Sequence, residues 1–161
     1  MPAMTDPMDG LKSFQKQVKI VGIKLSKGEV HPDVSVHLDY PNGVARLSYA
    51  LIDNGRVRAF VTYIPGEPYN GLPCFSIGYA VPEKFRNQGL GAEIIEKSID
   101  ELKNGYSRNG ISEFYVEAVV AESNVPSQKL AEKAISPTVD RTGHDSYSGE
   151  PALTYMRYVE A

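Results

Sequence analysis

Apolar and polar positions alternate over three consecutive stretches of this chain: VSVHLDY (Val34–Tyr40), VARLSYALI (Val44–Ile52) and VRAFVTYI (Val57–Ile64). A period of two predicts half-buried β-strands. Between them lie Pro41-Asn42-Gly43 and Asp53-Asn54-Gly55-Arg56. Asn-Gly accepts positive φ at low cost, so both segments predict hairpin turns. Earlier, Leu11–Gln17 reads as a short helix, and VKIVGIKL (Val18–Leu25) alternates in part and reads as a strand; the first ten residues read as loose. A Gly/Pro-rich loop, Gly66 to Pro73, leads to FSIGYAV (Phe75–Val81), one more strand, stopped by Pro82.

The period then changes. Leu90, Ile94, Ile95, Ile99, Leu102 and Tyr106 fall at helical spacing with charged residues between them, so a helix is expected to about Arg108, stopped at Asn109-Gly110. Ile111–Ala121 contains the run FYVEAVV and predicts a well-buried strand. Ser123-Asn124-Val125-Pro126 opens a second helix that continues to Ala134, with Asn124 as its cap. Ile135–Arg141 and Leu153–Val159 read as the last strands. A helix crossing between strands 75–81 and 111–121 makes them a parallel pair. The expected fold is α+β, a mixed α/β arrangement with a central, mostly antiparallel twisted sheet and one parallel pair joined by a helix. Residues 1–161 are expected to form a single domain.

Composition narrows the function. The chain has 161 residues, 42% apolar and 23% charged, with a net charge of −3. That is a globular composition, and it disfavours a broad basic surface for nucleic acid. One cysteine, Cys74, rules out a disulfide framework and fits a reducing compartment. No apolar run reaches the roughly 20 residues that span a bilayer, and the first residues, MPAMTDPMDG, lack a basic-then-apolar signal pattern. A soluble, cytoplasmic protein is expected. The three histidines and the cysteine show no metal-ligand spacing, so no metal is expected.

The distinctive chemistry lies where the strand ending at Val81 hands over to the helix. Arg86-Asn87-Gln88-Gly89-Leu90-Gly91 places two glycines, an arginine and two amides at a helix N-terminus. Free backbone N–H groups and the positive end of the helix dipole stabilise an anion there. Glycine lets a phosphate approach the main chain, and the guanidinium suits phosphate oxygens. The segment contains neither GxxxxGK[ST] nor GxGxxG, so two common nucleotide motifs are set aside. Read from the residues alone, the turn is either a phosphate seat or a tight junction with a solvated arginine.

Here the sequence resembles the GNAT superfamily of acyl-CoA-dependent N-acetyltransferases. Arg86 to Gly91 match that family's [RQ]xxGx[GA], preceded by IGYAVPEKF (Ile77–Phe85). Val120-Ala121-Glu122-Ser123-Asn124-Val125-Pro126-Ser127-Gln128-Lys129-Leu130 resembles its VxxxNxx[SA]xxL, and the likeness runs from Phe75 to Lys133. It implies acetyl-CoA as acyl donor, with its pyrophosphate on Gln88, Gly89, Leu90, Gly91 and Ala92, aided by Arg86 and Asn87. It implies that main-chain groups of Tyr79, Ala80 and Val81 pair with the pantetheine arm where the parallel strands splay. Asn124 and Ser127 would lie beside that arm. Lys133 could reach the phosphates but reads more simply as a solvated helix face.

The implied reaction is direct transfer of the acetyl group to a primary amine in a ternary complex. The acceptor would be a small molecule or a peptide; neither nucleic acid nor membrane is expected as a partner. An amine with a pKa of about 10.4 costs roughly 4.6 kcal/mol to hold neutral at pH 7, so a general base is worth having. The family's usual acid, a tyrosine after the motif's leucine, is replaced by Ala131, and Ile135-Ser136 stands where relatives have Gly-Phe. Glu117 is the candidate base and Tyr115 a candidate acid; Tyr79, Tyr147 and Tyr155 are further tyrosines that could donate. Cys74 reads as a structural thiol, and His37 and His144 show no partner. Relatives wall the acceptor site with two helices after the first strand, but Leu25–Val44 shows no helical stripe. The pocket is therefore expected to be open, or built by the Pro65–Pro73 loop and by a partner subunit in a homodimer. The missing tyrosine keeps an alternative in view: a catalytically silent acyl-CoA-binding sensor or scaffold.

Overall fold

The computed structural model describes residues 6–160. Three helices and eight strands follow one another as α1 (Pro7–Lys16), β1 (Ser26–Lys27), β2 (Val34–Asp39), β3 (Arg46–Asp53), β4 (Arg56–Pro65), β5 (Cys74–Ala80), α2 (Leu90–Arg108), β6 (Glu113–Ala121), α3 (Val125–Ala134), β7 (Arg141–His144) and β8 (Pro151–Glu160). The strands form one sheet in the order β1-β2-β3-β4-β5-β6-β8-β7. Every pair is antiparallel except β5 with β6, which are parallel and joined by α2. This is the expected mixed α/β sheet.

The hairpins form where Asn-Gly permits them: Asn54 and Gly55 both take positive φ, 52° and 74°. The α2 stripe buries Ile94, Ile95, Ile99 and Leu102 to 2% exposure or less against Val34, Val61, Tyr63, Phe114 and Val116. Each such side chain contributes about 1.5–3 kcal/mol. Ser98 on the same face is also buried, and its hydroxyl is satisfied by Tyr63 at 2.7 Å. On the opposite face α1 packs Leu11 and Phe14 over Ala50, Val57 and Phe60.

Three segments differ from expectation. Of the ten residues expected to be loose, residues 1–5 lie outside the described residues, while α1 begins at Pro7 on an Asp6 cap. Gln17–Val21 is a π turn closed by Gly22 in the left-handed region, not the start of a strand. Ile20 there is 78% exposed, which breaks the alternation, while Val18, Ile23 and Leu25 pack against the α1 cluster. Ile135 closes α3 as a buried cap residue, and the next strand, β7, begins only at Arg141. Leu25–Val44 does lack an α-helix, with only a single 3-10 turn at Pro41–Gly43. Its 29–31 segment is held on α2 by Glu101, whose carboxylate accepts the backbone N–H groups of Glu29, Val30 and His31 at 2.8, 2.9 and 2.6 Å.

Candidate active site

β5 and β6 share only four rungs, from Cys74–Tyr115 to Ile77–Ala118. Beyond that point both strands continue, to Ala80 and Ala121, without pairing to each other. Each is held by its outer neighbour instead: Ala80 pairs with Phe60 of β4, and Ala121 with Ala152 of β8. The sheet therefore opens as a fork whose inner edges present unpaired main-chain groups, and polar groups of that kind need partners. A cleft of about 1160 Å³ fills the fork and reaches both faces of the sheet.

On the helix side, α2 begins directly at the cleft. Its N-cap, Gly89, has φ 75° and makes no capping hydrogen bond from a side chain. The first-turn N–H groups of α2 thus face an opening rather than a protein acceptor. Asn87 also takes positive φ, 63°, which bends the loop. Tyr79, Ala80 and Val81 line the cleft, as do Arg86, Asn87, Gly89, Leu90, Gly91 and Ala92. Asn124, Ser127 and Lys133 line it from α3. Gln88 does not, although the sequence reading includes it.

Several of these residues also make contacts within the protein. The Arg86 Nε donates to the Val81 carbonyl at 2.9 Å, so part of its guanidinium braces the loop. Gly89 has nothing within 4 Å of where a Cβ would stand, which fits an open seat. Gly91 has a different cause: a Cβ there would come within 2.7 Å of Leu130 Cδ2, so this glycine lets α2 approach α3. Asn124 accepts the Ser127 N–H at 3.2 Å and is a helix cap facing the cleft. The Tyr79 hydroxyl donates to the Ser127 carbonyl and receives the Ser127 hydroxyl, both at 3.0 Å, tying β5 to α3. Burial raises its pKa.

The two catalytic candidates are not brought to the cleft lining. Glu117 is the cross-strand partner of Ser76, one rung below the fork, and its carboxylate pairs with Arg141 at 3.1 Å. Tyr115 receives a hydrogen bond from Asn70 and packs edge-on to Tyr69, with ring centroids 4.8 Å apart. Tyr147 is exposed in the loop before β8. Cys74 is buried, and burial, then the Glu117 charge, pushes its thiol up to about 11. A thiol held protonated is no nucleophile.

The wall opposite the helices was not legible in the sequence. α1 supplies Pro7, Met8 and Phe14, and the sheet supplies His37, Ser48, Thr62 and Gly78. Those last four form one row, since His37 pairs with Ser48, Ser48 with Thr62 and Thr62 with Gly78. Arg46 joins them, held by Asp39 in a two-pronged ion pair at 3.0 and 2.6 Å. Residues 66–73 contribute nothing to the lining. That loop turns to β6 and β7 instead, with the Tyr69 hydroxyl donating to Asp140 at 2.8 Å. This side of the cleft is therefore walled by α1, not by that loop. The signal available was the polar half of the β2 and β3 alternation, which reads equally well as a solvent face.

Comparison with known proteins fits this geometry. The family model for the acetyltransferase (GNAT) family matches residues 22–135. Among solved structures, an acetyltransferase of the GNAT family from Streptococcus pneumoniae shares 13% identity over 98% of this chain and 97% of that chain, with a TM-score of 0.53. A ribosomal-protein-S5-alanine acetyltransferase from Vibrio fischeri shares 11% identity over 72% of this chain and 62% of that chain, with a TM-score of 0.55. An acetyltransferase from Salmonella typhimurium, which modifies the N-terminal serine of ribosomal protein L7/L12, shares 20% identity over 71% of this chain, with a TM-score of 0.48. The chain spans 64% of the length of that protein. At these identities the likeness to the Streptococcus pneumoniae and Vibrio fischeri structures concerns the fold. A comparison with curated proteins gives no match.

Proposed function

The chain belongs to the acetyltransferase (GNAT) family, and from that membership we propose that it transfers an acetyl group from acetyl-CoA to a primary amine within a ternary complex. The fork between β5 and β6 is the observation that carries the reading. It offers unpaired main-chain groups along a slot, a helix N-terminus at one end, and a walled chamber on the far face.

When bound, acetyl-CoA supplies an acetyl group activated as a thioester. The chain's own residues do the rest. The first-turn amides of α2, Leu90 to Ala92, hold the diphosphate, with Arg86 and Lys133 adding positive charge from either side of the cleft. Main-chain groups from Gly78 to Val81 hydrogen-bond the pantetheine amides, completing the sheet edge left open at the fork. A main-chain N–H there can stabilise negative charge on the thioester oxygen as it develops. The amine reaches the fork from the α1 face, past the row that ends at Gly78. Glu117, on that face, is the proposed base, and its ion pair with Arg141 must open before it can take a proton from the amine.

Calorimetry with CoA, followed by thiol release from acetyl-CoA with a panel of primary amines, tests this function. The panel includes small amines and peptide N-termini, because the Vibrio fischeri neighbour is named for acetylating a protein alanine. Amine-dependent thiol release is expected. CoA binding without release with any amine would favour a silent acyl-CoA sensor, and absence of CoA binding would refute the assignment of the cleft.

A further inference from the structure

Among the described residues, the lysine and arginine side chains that line the cleft are Arg46, Arg86 and Lys133. Arg86 precedes α2 and Lys133 lies on α3, on the side given above to the donor's phosphates. Arg46 is elsewhere. It lies on β3, two residues from Ser48, and so shares the α1 face of the sheet with the row His37, Ser48, Thr62 and Gly78.

The way Arg46 is held leaves part of it available. Its Nε and Nη2 each donate to one Asp39 oxygen, at 3.0 and 2.6 Å, which fixes the side edge of the guanidinium. Its Nη1 makes no hydrogen bond among the described residues, and the side chain is 34% exposed. The outer edge, with one N–H from each Nη, matches a second carboxylate. Asp39 partly offsets the charge, so a singly charged carboxylate suits this edge better than a dianionic phosphate.

A second observation points the same way. Ser48 is 3% exposed and lines the cleft, and its hydroxyl has no hydrogen-bond partner among the described residues. A polar group so enclosed calls for a partner. Thr62 also has none, and its Oγ1 lies 3.6 Å from where a Cβ of Gly78 would stand, so it faces the fork. Pro7 Cγ lies 3.3 Å from the same point, which sets the start of α1 over Gly78. Asp6, the cap of α1, lines the cleft beside it. The α1 face thus carries a carboxylate at the fork end and a guanidinium at the far end, with unpartnered hydroxyls between. Arg46 is two strand steps and two residues from Gly78, roughly 12 Å between Cα atoms.

We propose that the acceptor is a short amino acid, whose carboxylate sits on the outer edge of Arg46 and the Ser48 hydroxyl while its primary amine reaches the fork at Gly78. This rests on the acetyl transfer proposed above and adds the class of acceptor. The amine arrives as an ammonium, which the Asp6 carboxylate attracts. A plain alkylamine leaves Arg46 and Ser48 without a partner, and a diamine sets a second cation against the guanidinium.

The test measures thiol release from acetyl-CoA with β-alanine, γ-aminobutyrate and ε-aminocaproate, each against its own carboxamide, in the parent protein and in Arg46→Gln. In the parent, kcat/KM is expected to favour at least one acid over its amide by about tenfold or more. In Arg46→Gln that ratio is expected to fall to about one, whereas a purely structural role for Arg46 would lower acid and amide alike and keep the ratio. A ratio that survives in Arg46→Gln would overturn the inference. Should Arg46→Gln fail to fold, the parent decides by itself: amines acetylated with no preference for any acid over its amide would overturn the inference and leave the acetyl transfer standing. Should the parent release no thiol with any amine, the proposed function and this inference fall together.

Discussion

Ile77 and Ala118 are the last residues through which β5 and β6 face each other. Everything proposed for this protein follows from the separation that begins one residue later. Both strands continue, each anchored on its outer side to β4 or β8, so the opening is built into a sheet that is otherwise fully paired. The α2 N-terminus stands at one end of the slot and the α1-walled chamber at its far face.

The anion seat can be tested at Gly89. Its φ of 75° disfavours most side chains, but there is space around it. Asparagine tolerates this backbone region, so Gly89→Asn is expected to keep CoA affinity within about fivefold. Gly89→Glu places a carboxylate against the seat and is expected to weaken CoA by at least about 100-fold. Calorimetry on both variants reads the difference, and equal losses would point to backbone strain rather than charge.

Glu101 is expected to control the 28–33 loop. Its carboxylate accepts three consecutive backbone amides while almost fully buried, at 8% exposure. Gly28 is fitted to the same contact, since a Cβ there would come within 2.4 Å of the His31 carbonyl. Glu101→Ala is expected to cost about 3 kcal/mol in urea unfolding, because it strands donors that had a charged acceptor. Amide exchange at Glu29, Val30 and His31 should accelerate in step. A loss under 1 kcal/mol would mean that water replaces the carboxylate.

Alkaline pH should unfold the protein through its buried acids. Burial pushes the Cys74 thiol up to about 11 and also raises Tyr49 and Tyr63. These groups hold their protons more tightly folded than unfolded. Their contribution is therefore intact below the unfolded values, near 8.5 for a thiol and 10 for a phenol, and is lost as pH rises toward the folded ones. The urea midpoint is expected to fall between about pH 8.5 and 11, and less so in Cys74→Ala. At pH 8 the native thiol should react with a disulfide reagent about 300-fold more slowly than the unfolded chain. A native rate equal to the unfolded one would show that Cys74 is accessible.

The proposed base is open to a kinetic test once an acceptor amine is in hand. Glu117→Gln is expected to lower kcat at neutral pH by about 100-fold with little change in the KM for acetyl-CoA. Arg141→Ala frees the carboxylate and is expected to preserve or raise kcat. An unchanged rate in Glu117→Gln would return this residue to a purely structural ion pair.

How far the sequence could be read depended on which forces acted locally. The α2 stripe, the Asn124 cap and the Asn-Gly turns are encoded by neighbours in the chain, and the observed helix ends at Arg108 as its pattern predicts. VKIVGIKL misled because its branched residues favour strands in isolation, whereas here Val18, Ile23 and Leu25 pack against the α1 cluster around a π turn. The α1 face of the cleft was invisible for a related reason: alternation shows that His37, Ser48 and Thr62 share a side, but not what covers that side. The fork left its trace only in the likeness around Arg86–Gly91 and Asn124, because strand divergence is a tertiary property. At Gly91 a second reason for glycine was invisible, because it lies across the fold at Leu130.

A crystal structure with CoA tests the central claim most directly. The account predicts diphosphate oxygens within about 3.2 Å of the main-chain amides of Leu90 to Ala92, and a pantetheine arm lying between residues 78–80 and 119–121. CoA bound elsewhere, with the fork closed by the protein's own side chains, would contradict it.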